Sequence, residues 1–134
     1  MVVARKRAAQ FLRVVCMLTD QIGDAVYIRG QANGHYKVAR ADVSLGTKMP
    51  AIGIIIKKWE FTQALVQLWG EVKSVYTGLS PGRTYFIDDS ARPTLLPPDP
   101  ASLGGRAYLQ VIGVALDIGV LLLNPAEHLS IRVS

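Results

Sequence analysis

The chain has 134 residues, half of them apolar and 19% charged, with 15 Lys and Arg against 10 Asp and Glu for a net charge of +5. This length suits one domain that buries a core without disulfide or metal staples, and the apolar content leaves groups over for an interface, so self-association is expected. The basic excess favours an anionic neighbour without identifying one, and with no apolar run of 18 residues neither a membrane span nor a cleavable export signal is expected.

Residues 1–9 are small and basic and read as an arm ordered by a partner, with Arg5, Lys6 and Arg7, joined by Arg13, as its candidate contact residues. Gln10 to Leu18 is apolar and β-branched and suits a strand, although Phe11, Leu12, Val15 and Leu18 also fit a short helix face. Cys16 sits inside that run, where a lone thiol behaves as a small hydrophobe. After the turn residues 20–24, Ala25 to Arg29 and His35 to Arg40 are strands joined through Asn33-Gly34, whose tolerance of positive φ predicts a tight, solvent-edged hairpin. Residues 41–48 form an irregular link in which Asp42 and Ser44 could cap one helical turn.

Ala51 to Lys58 is apolar on both faces, as a central strand requires. Trp59 to Thr62 turns into Gln63 to Val75, where Leu65, Leu68 and Trp69 break alternation and predict a bulge. Pro81-Gly82 predicts a type II turn before the strand Thr84 to Asp88. Pro97 to Gly105 reads as an exposed connection. Tyr108 to Asp117, Val120 to Leu123 and Leu129 to Val133 complete the strands.

Two segments recur. Gly23-Asp24-Ala25-Val26-Tyr27-Ile28 is echoed by Gly82-Arg83-Thr84-Tyr85-Phe86-Ile87 at a spacing of 59, and Ala51-Ile52-Gly53-Ile54-Ile55-Ile56 by Val111-Ile112-Gly113-Val114-Ala115-Leu116 at a spacing of 60. The expected fold is therefore all-β: a single-domain β-sandwich or barrel of short strands, built from two pseudo-repeated halves that close over one core, with an extended N-terminal arm. The divisions are the arm and first strand over 1–19, the β domain over 20–125 with repeats at about 20–75 and 78–125, and a C-terminal extension over 126–134. Gly53 and Gly113 occupy equivalent strand positions, where glycine marks a bulge or a close backbone approach.

Chemistry is sparse. His35 and His128 lack metal-ligand spacing with Cys, Asp or Glu, and Asp88-Asp89 stands where carboxylates bond turn amides. Neither a phosphate-binding loop nor a Gly-x-Ser-x-Gly elbow is present, so catalysis, metal and cofactors are not expected. Single-stranded nucleic acid binding would need aromatics interleaved with cations on one face. Tyr27, Tyr36, Tyr85 and Tyr108 instead sit among apolar strand residues, so nucleic acid is not the expected partner. Trp59 and Trp69 flank a hairpin and are candidate interface anchors, with core burial the open alternative.

The strings 23–28, 49–54, 78–87 and 111–116, in that order and spacing, resemble a pattern in small β-rich structural proteins of tailed bacteriophages. Capsid decoration or cement proteins, and compact domains of head and tail fibres, are similar over about residues 20–125. The resemblance implies a non-enzymatic virion component, commonly trimeric, docked on the major capsid protein or another virion protein, with no catalytic residue to carry over.

Overall fold

The computed structural model describes residues 8–133. Its strands are β1 (Gln10–Val15), β2 (Ala25–Ala32), β3 (His35–Arg40), β4 (Gly53–Trp59), β5 (Gln63–Lys73), β6 (Thr84–Ile87), β7 (Pro93–Thr94), β8 (Arg106–Leu109), β9 (Val111–Asp117), β10 (Val120–Leu123) and β11 (Ser130–Val133). Short 3-10 turns at Gly46–Lys48 and Pro100–Leu103 are the helical elements among the described residues. The chain is all-β, as its turn spacing predicts.

The first five strands form a closed barrel in the order β1-β3-β2-β4-β5, with β1 returning to pair with β5. All neighbours are antiparallel except β1 and β3, where Val14 pairs with Tyr36 in parallel. The β2–β3 hairpin turns at Asn33 (φ 53) and Gly34 (φ 76). Its outer edge is not left to solvent, because β1 covers β3; that expectation is corrected. The bulge falls at Leu68, skipped between the pairs Gln10–Trp69 and Phe11–Gln67.

β5 then runs on. Its residues 70–73 leave the barrel and pair with β10, which continues through β9 and β6 to β7. The repeat is realised as register: Ala25–Ile54 and Val26–Gly53 in the first half match Thr84–Val114 and Tyr85–Gly113 in the second. The turn bonds match as well. Gly23 N donates to Ile55 O at 2.8 Å and Gly82 N to Ala115 O at 2.7 Å, while Ile55 N to Asp24 O and Ala115 N to Arg83 O are both 3.0 Å. Gly82 has φ +81 and Arg83 N donates to Ser80 O at 3.1 Å, the type II turn that Pro81-Gly82 predicts.

The interior is two clusters, of which the halves share one. Val14, Cys16, Val26, Val38, Ile55, Ala64 and Val66 fill the barrel. A second cluster places Ala25, Val43 and Ile54 from the first half against Val72, Tyr85, Ile87, Ile112 and Leu121. β2 and β4 divide the two interiors because alternation sends Ala25 and Ile54 one way, Val26 and Ile55 the other.

Candidate interaction surface

Asp24, read as a turn residue, is an ionic knot between the halves. Its side chain is 1% exposed, with Oδ2 accepting from Arg40 Nε at 3.2 Å and from Gln21 N at 2.8 Å, and Oδ1 3.1 Å from Arg92 Nε. Ala25 N donates to Ala91 O at 2.8 Å beside it, and Tyr76 donates its hydroxyl to Gly23 O at 2.6 Å. Burial holds the Tyr76 hydroxyl far above the ordinary tyrosine range, so it stays a donor. Buried Gln110 performs similar work, accepting from Ala51 N and donating to the Ala51 and Ala126 carbonyls at 2.8, 2.8 and 3.0 Å. Such satisfied polar groups fix one arrangement of loops.

The residues singled out for chemistry lie apart. His35 and His128 are both exposed, and no group of three His, Cys, Asp or Glu converges among the described residues. Asp88 Oδ1 accepts from Ser90 N and Arg92 N at 2.8 and 3.0 Å, closing its own turn. Cys16 is buried in the barrel, and that burial raises its thiol pKa. No helix among the described residues is long and apolar enough to cross a membrane.

Arg5, Lys6 and Arg7 lie outside the described residues. Arg13, the fourth of the expected contact residues, is held in β1 opposite Leu65, because Leu12 and Val14 on either side of it pack into the barrel. Trp59 and Trp69 are both half-buried and face different surroundings. The Trp59 ring, at the end of β4, has the Arg13 guanidinium carbon and the Lys57 ammonium nitrogen each 5.2 Å from its centroid.

Trp69 lines a groove of about 630 Å³ with Leu12, Ile28, Ile52, Leu68 and Pro125. The groove lies at the bulge at Leu68, next to the point where β5 leaves the barrel. Large apolar groups are exposed elsewhere too, including Leu18 on the barrel, Leu96 in a loop, and Ile131 and Val133 on β11. No known protein-family model, curated protein or solved structure matches the chain.

Proposed function

We propose that the protein is a non-enzymatic structural component of a phage virion, a capsid decoration or cement protein that assembles as a trimer and bridges major capsid subunits. The observation that carries this reading is the apolar groove at the break between barrel and second sheet, where Ile28, Ile52, Leu68 and Trp69 gather beside the start of β1. It is supported by the resemblance of residues 20–125 to small phage structural proteins and by the surplus of exposed apolar side chains. A docking interface of standard size buries about 800 Å² per partner, and repeated contacts around a trimer multiply into a firm hold.

The partner is a neighbouring virion protein, gripped by the groove and by the basic arm with Arg5, Lys6 and Arg7. Imaging of particles tests this through stoichiometry. A cement protein is present in hundreds of copies, whereas a tail or fibre component, the second reading from the same resemblance, is present in far fewer. Deleting residues 2–9 should leave the fold intact and lower occupancy, and Ile28→Asp should do the same from the groove. Full occupancy of particles by both variants overturns the proposal.

A further inference from the structure

The outer wall of the barrel carries a feature that docking through the groove does not use. Interior positions on β1, β3, β4 and β5 are set by Val14, Val38, Ile55, Ala64 and Val66. Alternation therefore turns Arg13, Lys37, Gln63 and Leu65 outward, and the bulge between Ile55 and Lys57 on β4 reverses its faces so that Lys57 and Trp59 point outward too. The ladder places them in two rows. Lys37 pairs with Val15, Val15 with Gln63 and Gln63 with Trp59; in the next row Arg13 and Lys57 both pair with Leu65. His35, two residues before Lys37 on the same face, lines a depression of about 270 Å³ with Arg13 and Gln63.

Three cations and a histidine thus share one wall four strands wide, roughly 14 Å across at about 4.8 Å per strand. Among the described residues neither Arg13 nor Lys57 has a carboxylate within 4.0 Å; both turn to Trp59 instead. Like charges held together on one ring leave an unmet demand for anion, since the nearby Glu60 carboxylate meets Gln63 at 3.5 Å and, among the described residues, pairs with neither cation. The neighbouring Lys58 illustrates the contrast, since its ammonium is spent on the Leu18 and Asp20 carbonyls at 2.9 and 2.5 Å.

Aromatic groups border the same wall. Phe11 is exposed two residues before Arg13 on β1, and Phe61 is 74% exposed at the β4–β5 turn beside Trp59. Cations that track a backbone, interleaved with aromatic faces, are what binding of single-stranded nucleic acid requires. The tyrosines do not supply this; Trp59, Phe11 and Phe61 do.

We infer that the β3–β1–β5–β4 wall is a binding site for single-stranded nucleic acid, with Arg13, Lys57, Lys37 and His35 meeting phosphates and Trp59 stacking on a base. The aromatic component favours nucleic acid over an acidic peptide, which could use the cations alone. The site is independent of the docking role, since particle occupancy tests that role and an oligonucleotide titration tests this site.

The test is titration of the full chain with a labelled oligothymidylate, longer than the roughly 4–16 nucleotides that small barrels occupy. Anisotropy and tryptophan fluorescence are read at several salt concentrations. Binding at low ionic strength, quenching of tryptophan and weakening with salt are expected. Arg13→Gln with Lys57→Gln should flatten the log–log salt slope by about 1.4, at about 0.7 per lost phosphate contact. Trp59→Ala should weaken binding at least about fivefold. A variant with Arg5, Lys6 and Arg7 all changed to Gln should keep its dependence on Arg13 and Lys57. The inference is overturned by no binding at low salt, by an unaltered slope in the double variant, or by equal competition from polyglutamate. Arg13 and Lys57 are exposed, so the double variant should fold, which circular dichroism checks.

Discussion

Replacing Gly113 by alanine should destabilise the fold by about 2–4 kcal/mol. Gly113 is not among the glycines with positive φ, so its backbone would accept any residue. The obstacle is space: a Cβ there would lie 2.2 Å from the Leu122 carbonyl oxygen and 3.1 Å from the carbonyl carbon. A carbon–oxygen contact needs about 3.3 Å, so β9 and β10 would have to separate by roughly 1 Å. The obstructing atoms are backbone and cannot swing away. Separation weakens the ladder bonds on either side of the site, and a bond lost in a buried setting costs about 1–3 kcal/mol. For a domain of this size the loss corresponds to a fall in Tm of roughly 10 °C. Gly53 meets the Gln67 oxygen at the same 2.2 Å, so Gly53→Ala should cost a similar amount. The two sites touch different residues, and the double variant should lose the sum. Thermal and urea unfolding followed by circular dichroism measure all three; a loss below about 0.5 kcal/mol in both single variants would refute the close-approach argument.

Gly82→Ala should cost only about 1 kcal/mol, because nothing lies within 4 Å of its Cβ and only φ +81 opposes the change; a loss as large as that of Gly113→Ala would contradict this. Asp24→Asn keeps the Gln21 amide bond but loses its charge opposite Arg40 and Arg92, whose side chains are 45% and 35% exposed and can rehydrate. Its cost should be about 1–3 kcal/mol in urea unfolding, and an unchanged midpoint would show the knot to be dispensable. Burial raises the Asp20 carboxyl from its ordinary value of 3.8, so the folded state holds that proton more tightly than the unfolded chain does. Its contribution is therefore favourable in acid and declines as pH rises through and above that value. Asp20→Asn, which can still accept from Met17 N, should lack this decline; parallel stability–pH curves for the two proteins would count against it.

The duplication was legible because two glycines in equivalent strands are forced by the same backbone contact, and a steric requirement leaves a mark in the letters themselves. The Asn33-Gly34 hairpin and the Pro81-Gly82 turn were legible for a similar reason, since each turn type requires particular residues. The closing of the barrel was not. Whether β1 pairs with β3 depends on a long-range register that no local pattern encodes. The ionic knot was hidden because Asp24, Arg40 and Arg92 meet only after three turns fold together. The cationic wall was hidden because Arg13 and Lys57 become neighbours only through Leu65 between them. Two interiors were read as one because an apolar strand does not reveal which core each of its faces enters.

The two copies diverge at one strand, and that divergence makes them interdependent. In the first copy β1 supplies six residues and bridges β5 to β3. Its counterpart in the second is the end of β5, whose course is already set by the barrel it leaves, while β7 is two residues long and includes Pro93, which lacks an amide donor. The second sheet therefore stays open, and its inner face is covered by Ala25, Val43, Met49 and Ile54 from the first copy. Uncovering a side chain the size of Ile54 costs about 1.5–3 kcal/mol, so parting the copies would forfeit much of the stability of a domain this size. Calorimetry should accordingly show one transition whose van't Hoff and calorimetric enthalpies agree. Two resolved transitions would mean that the barrel stands without its neighbour, and that the second core does not couple the halves.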